Sequence, residues 1–294
     1  MFKLGILGSD NTHADAFSKL ANLEAGINGL RIEDVRVTHI YGTDPQRTEE
    51  VAQNGNIPNI VSAPEEMIDA VDGVLCVWRH GGKHLADTLP FLKAGIPAFV
   101  DKPLACSVRD ATALIDAAEK AGVGLTSFST LRFERTTVQY IEDLKANAGE
   151  LTAGMSTGPA DLESEYGGVF FYGIHAVELM NAVWGYGCES VAAVAHQGNA
   201  VAVCKFDRGA LVTVNMLGNA KYAFHLVAFG KDGWKHHAVD AGACYYDGMQ
   251  VFMEVLRTGQ WKFTREQLLE PVKVLSAIDR SLNEGGREVK LDEL

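Results

Sequence analysis

The chain has 294 residues, enough for one large domain or two ordinary ones, and its 47% hydrophobic, 22% charged composition excludes a mainly disordered protein. Its net charge of −12 argues against a nucleic-acid partner, which needs a basic surface, but not against a phosphorylated cofactor held by a few local donors. Five scattered cysteines without a CxxC pair argue against a disulfide frame or a metal site, and no run reaches the roughly 18 apolar residues of a membrane helix. A cytoplasmic protein is expected, since the apolar run at the N-terminus is too short for a signal peptide.

In chain order, short runs rich in Val, Ile and Leu at 4–7, 35–41, 74–78, 97–100 and 123–128 read as strands buried on both faces. Helical patterns at 13–25, 45–54, 84–94 and 107–121 fall between them. This alternation predicts a doubly wound parallel sheet over residues 1–128. From residue 129 the pattern changes. Helix is expected at 133–147, a strand at 150–158, and a long apolar helix at 167–185 that opens on Gly167-Gly168. Strand-like runs at 189–197, 200–206, 210–218, 223–230 and 234–239, joined by short Gly-containing turns, predict an antiparallel meander. Helices at 246–258 and 264–284 close the chain. Residues 129–294 are thus expected to form an α+β domain with a large, mostly antiparallel open sheet. Val191, Ala193, Val201, Val203, Val212 and Val214 alternate along its runs, so part of its uncovered face is expected to be apolar and to pair with a second copy, giving a homodimer or homotetramer.

Ligands of a doubly wound sheet bind beyond the carboxyl ends of its strands. After the first strand come Gly8, Ser9, Asp10, Asn11, Thr12 and His13, a turn into a helix N-terminus that suits a pyrophosphate. Asp10 should point away from the phosphates. After the second strand come Thr43 and Asp44, where a dinucleotide fold often binds ribose; Asp44-Pro45 also reads as a helix cap. The loop Trp78-Arg79-His80-Gly81-Gly82-Lys83-His84 is dense in donors, and Arg79, His80 and His84 are candidate contacts. Lys102, at a strand end and followed by Pro103, is a candidate proton donor and cofactor contact. On the long helix of the second half, Tyr172, His175 and Glu178 recur at a spacing of three and share a face. A histidine there reads equally as a satisfied core residue.

Several of these residues occur in an order that resembles the Gfo/Idh/MocA oxidoreductases, the glucose–fructose oxidoreductase and inositol dehydrogenase family. Asp101-Lys102-Pro103 is similar to that family's Glu-Lys-Pro motif, His84 to the histidine of the preceding loop, Arg132-Phe133 to its Arg-Phe pair, and Gly173-Ile174-His175 to its Gly-x-His helix. The resemblance implies a Rossmann domain binding NAD or NADP and a second domain that holds substrate and often mediates oligomers. It also implies hydride transfer between nicotinamide and a sugar, inositol or other polyol hydroxyl. Lys102 and His175 would then flank the substrate carbon, and Arg132 and Tyr166 would be substrate contacts. The chain departs from the family in three places. Its first turn is about three residues short and has lost two glycines, Gly42 stands where an acidic residue is common, and Phe171 stands where an aspartate is usual. Tyr172 can take over that aspartate's part in a proton relay. The departures leave two alternatives: a nicotinamide-dependent glycosidase or lyase on the same fold, and a ligand-binding protein without turnover.

Overall fold

A computed structural model describes residues 1–242 and 244–294. Their contacts separate into two compact units, Met1–Ala105 with Arg109–Ser127 and Tyr245–Thr264, and Cys106–Val108 with Phe128–Cys244 and Arg265–Leu294. A single cut between 128 and 129 therefore does not describe the chain, because the segment from Tyr245 returns to the first unit.

The first unit runs β1 (Phe2–Leu7), α1 (Thr12–Asn22), β2 (Val35–Tyr41), α2 (Pro45–Asn54), β3 (Asn59–Ile60), β4 (Gly73–Cys76), α3 (His84–Lys93), β5 (Ala98–Val100), α4 (Val108–Ala121) and β6 (Leu125–Thr126). The six strands are parallel, in the order β3-β2-β1-β4-β5-β6. The order reverses between β1 and β4, which puts the loops after these two strands at the switch point. β3 escaped the sequence reading because it is two exposed residues with no apolar run. The strand expected at 74–78 stops at Cys76, and Trp78 belongs to the loop. The core is continuous through the central strands, with Leu4, Ile6, Val74, Leu75 and Val100 at 0–1% exposure. Each such side chain contributes about 1.5–3 kcal/mol on burial.

The second unit begins with α5 (Arg135–Asn147), β7 (Leu151–Pro159), α6 (Val169–Trp184), β8 (Cys188–His196), β9 (Asn199–Phe206), β10 (Leu211–Leu217), β11 (His225–Gly230) and β12 (Trp234–Ala238). Then α7 (Cys244–Thr258) joins the first unit, where Phe252 meets Phe99 at 5.9 Å between ring centroids and the Trp261 indole donates to the Val123 carbonyl at 2.9 Å. The chain ends with α8 (Arg265–Asn283) and β13 (Val289–Lys290) in the second unit.

The second sheet has the order β12-β11-β7-β10-β9-β8-β13, mostly antiparallel, but it is not a simple meander. β7 lies between β10 and β11 and runs parallel to β10. Neighbouring strands sit about 4.8 Å apart, so the β10–β11 connection must step across roughly 10 Å. Residues 218–224 do this, passing over the end of β7. In the sequence that connection looks like any other hairpin loop.

α6 and α8 cover one face of this sheet. The pairing Val191 with Cys204 and Val203 with Thr213 fixes which residues face the helices. Of the six alternating residues, Val191, Ala193, Val212 and Val214 are buried on the covered side, and Val201 and Val203 lie on the open one. A one-residue difference in parity between strands decides this, and only register reveals it. The open face nonetheless presents Val194, Val201, Leu211, Phe229 and Trp234, each at least 37% exposed.

Candidate functional site

In the first unit the loops at the switch point are locked together by short polar contacts. Gly8 has φ +102°, and a Cβ there would lie 2.8 Å from the Trp78 backbone nitrogen, so only glycine lets these two loops approach. The Asp10 carboxylate accepts from the Arg79 amide at 3.1 Å. Asn11 is the N-cap of α1, accepting from the His13 amide at 3.3 Å, and Thr12 begins the helix with its side chain exposed.

Asp101, at the end of β5, ties that turn to the lysine motif. One carboxylate oxygen accepts from the Lys102 amide at 2.8 Å; the other meets Asn11 Nδ2 at 3.2 Å and His13 Nδ1 at 2.5 Å. Burial by itself pushes this carboxyl up, but the His13 and Lys102 charges and the hydrogen bonds outweigh it and hold the group well below the usual carboxylate range. Lys102 is 6% exposed and followed by a cis peptide bond to Pro103. Asp101 is therefore the hub that joins the β5 end, through the Lys102 amide, to Asn11 and His13 of the turn after β1.

Other candidates of this unit have structural partners. His84 is fully buried, with Nδ1 2.9 Å from the Pro103 carbonyl and Nε2 3.0 Å from the Trp78 carbonyl; burial dominates and lowers its pKa. Both ring nitrogens face backbone, so His84 joins the β4 and β5 loops rather than reaching a ligand. The Ser9 hydroxyl is buried 2.9 Å from that of Thr48. A Cβ on Gly42 would strike both, at 2.2 and 2.3 Å, so an acidic side chain has no room there. Asp44 caps α2, accepting from the Arg47 amide at 3.1 Å, while Thr43 is exposed. His80 accepts from the Gly82 amide at 2.9 Å and is half-buried, as is Arg79. Lys83 is exposed, with its ammonium 4.5 Å from the centre of the Trp78 ring.

In the second unit the first turns of α6 face the short helical turn Thr130–Phe133. The Ser129 hydroxyl lies 2.7 Å from His175 Nδ1, and Arg132 Nη1 donates to Glu178 at 2.7 Å and to the Tyr186 hydroxyl at 3.1 Å. The spacing of three did place His175 and Glu178 on one face. Burial pushes Glu178 up more than Arg132 pulls it down, whereas for Arg132 the attraction of Glu178 and Tyr186 overcomes burial and raises its pKa. The pair is thus a buried, self-neutralised clamp, with side chains 9% and 5% exposed. Through Nη1, Arg132 thus packs the turn against α6.

His175 also belongs to a ring cluster. Its ring centroid is 5.6 Å from Tyr172 and 5.5 Å from Phe224. Tyr222 closes the circuit, 6.2 Å from Tyr172 and 5.3 Å from Phe224. Phe171 and Tyr166 continue it outward, 4.8 Å from Tyr172 and 5.0 Å from each other respectively. Ser129, Tyr222 and Phe224 carry no sequence motif. Tyr222 and Phe224 reach α6 only because the β10–β11 connection crosses β7. Among the described residues no group of three or more His, Cys, Asp or Glu could hold a metal ion, and no helix is long and apolar enough to cross a membrane.

Residues 2–128 match the Gfo/Idh/MocA family, described as an oxidoreductase family with an NAD-binding Rossmann fold. An inositol 2-dehydrogenase of Cereibacter sphaeroides is 27% identical over 151 residues, which covers 50% of this chain and 42% of that protein. The chain thus matches less than half the length of this curated relative. Among solved structures, a probable dehydrogenase from Thermotoga maritima superposes with a TM-score of 0.84 at 20% identity, covering 99% of both chains. The myo-inositol 2-dehydrogenase of Lactobacillus plantarum gives 0.82 at 16% identity over 98% of this chain and 99% of its own. A third, GenD2 from gentamicin A biosynthesis in complex with NAD, gives 0.83 at 16% identity over 98% and 96%. At these identities the structural likeness speaks for the fold alone. Residues 2–128 thus match the Gfo/Idh/MocA oxidoreductases with their NAD-binding Rossmann fold, and the fold over nearly the whole length is that of these solved structures.

Proposed function

We propose that the chain is an NAD-dependent dehydrogenase acting on a CH–OH group of a sugar, cyclitol or related polyol. The observation that carries the reading is the buried Lys102, next to the Asp101 hub at the end of β5, in a sheet of dinucleotide-binding strand order. The inositol 2-dehydrogenase relative supports the substrate class.

The residues of the first unit fit a dinucleotide. The α1 N-terminus and the exposed Thr12 offer donors to a pyrophosphate, and Arg79, His80 and Lys83 add donor and basic side chains on the loop after β4. The bound nicotinamide supplies the hydride acceptor. Lys102 in the first unit and His175 in the second are the proposed acid–base groups, each argued from its own unit. Ser129 orients the imidazole through Nδ1. Tyr172, in ring contact with His175, carries the proton onward in place of the aspartate that Phe171 replaces. Tyr166 is a substrate contact.

The ribose end favours NAD over NADP. Arg47, the first cation after the tip of β2, is bound by Asp15, by Glu50 at 3.1 Å and by the Ser9 carbonyl at 3.1 Å. A 2′-phosphate would meet a cation already neutralised and the nearby carboxylates. NAD is expected to bind at least about tenfold more tightly, or roughly 1.4 kcal/mol. Fluorescence titration with both cofactors checks this, and equal affinities would refute it.

A screen of polyols for reduced-nicotinamide absorbance tests the activity. Cofactor binding with no turnover on any polyol would favour the ligand-binding alternative, and turnover of a glycoside without net cofactor change the glycosidase or lyase.

The open sheet face pairs two copies. Val194 pairs with Val201, and Leu211, Ala153, Phe229 and Trp234 form one row across β10, β7, β11 and β12, apolar surface of a kind that a monomer rarely leaves in water. Sedimentation at micromolar concentration should give a dimer or larger, and Val201→Asp should give monomers. A wild-type monomer would overturn this.

A further inference from the structure

We propose that the substrate carries two rings: a neutral sugar or cyclitol ring that reacts at His175, joined to a second, apolar or aromatic ring that stacks on an aromatic strip beginning at Tyr222. The inference rests on the dehydrogenase reading of His175. The strip is built into the second unit. His175, Tyr172, Tyr222 and Phe224 form a closed circuit in which Phe224 is 2% exposed and Tyr222 is 56% exposed. The inner rings thus hold the imidazole, while Tyr222 presents a large ring to an incoming molecule.

The strip extends beyond what one six-membered ring needs. Phe171 and Tyr166 continue the ring contacts from Tyr172, both half-buried, with neighbouring ring centroids 4.8 and 5.0 Å apart. A pyranose is about as wide as one such spacing, so the outer rings can take a second ring. None of the three tyrosine and phenylalanine rings outside His175's first neighbours carries a permanent charge, and the nearby Arg132 and Glu178 neutralise each other at 2.7 Å. An anionic group on the substrate would therefore find no free counter-charge from that pair. Tyr222 is held protonated as a hydrogen-bond donor: burial first, then Tyr172, push its phenol up to about 12. The chemistry selects a neutral glycoside with an aryl ring over a free cyclitol.

The test measures binding by calorimetry to the full chain with saturating NAD, using paired phenyl and methyl β-glycosides of glucose, galactose, mannose and xylose. At least one pair should show a phenyl preference of about fivefold or more, within what an aromatic pair supplies. Tyr222→Ala should reduce that ratio below about twofold, and Tyr222→Phe, which keeps the ring, should retain it. If no pair shows the preference, or if Tyr222→Ala keeps it, the inference is overturned. Hydride transfer is read separately by reduced-nicotinamide absorbance. Turnover of polyols without a phenyl preference would sink the two-ring substrate and leave the dehydrogenase standing; the preference without any turnover would do the reverse.

Discussion

Lys102→Met is expected to cut turnover by about 10²-fold or more, the scale of losing a positioned acid or base. The substitution removes the ammonium with little change in volume. The Asp101 contacts with the Lys102 amide, Asn11 and His13 involve no Lys102 side-chain atom, so the β5 end should keep its shape. His175→Asn should cause a similar loss, because the amide retains a polar contact for Ser129 but cannot exchange a proton near neutral pH. Cofactor affinity should fall less in His175→Asn than in Lys102→Met, since His175 belongs to the second unit and Lys102 to the first. Tyr172→Phe separates two relays: a large loss assigns the onward proton to the phenol, and no loss leaves it to His175 and water. Steady-state rates on a substrate accepted by the wild type decide the matter. Near-normal turnover in both Lys102→Met and His175→Asn would place the chemistry elsewhere.

Arg132→Met should destabilise the second unit by roughly 3–5 kcal/mol, because it leaves Glu178 buried without its counter-charge. For a unit of this size that corresponds to a loss of roughly 10 °C in its unfolding midpoint. Replacing both partners, Arg132→Met with Glu178→Leu, should recover much of the loss, since apolar residues of similar volume carry no desolvation cost. The single variant should also lower turnover, though indirectly. The turn that carries Arg132 begins at Ser129, which holds His175, so loosening one loosens the other. Thermal unfolding of the single and double variants measures the coupling. A single-variant cost below about 1 kcal/mol would show that the pair is not the clamp described.

Much of this protein was legible in its sequence, and for identifiable reasons. Continuous Val, Ile and Leu runs alternating with helical periods can be satisfied only by strands covered on both faces, so the parallel sheet and its order of elements followed directly. Asp101-Lys102-Pro103 could be placed at a strand end, and the spacing of three put His175 and Glu178 on one helix face, because both inferences use contacts within a few residues. What the tertiary structure decided were pairings between distant segments. That β7 inserts between β10 and β11, that residues 218–224 consequently carry Tyr222 to α6, and that Val191 and Val212 face inward while Val201 and Val203 face outward all depend on register, which local sequence does not encode. The same holds for chemistry. His84 and Arg132 have the residue types of ligand contacts, but whether a polar group meets a ligand or its own protein depends on what else is buried beside it. Here the Pro103 and Trp78 carbonyls and the Glu178 carboxylate were there first, because a buried polar group left without a partner costs more free energy than the fold can spare.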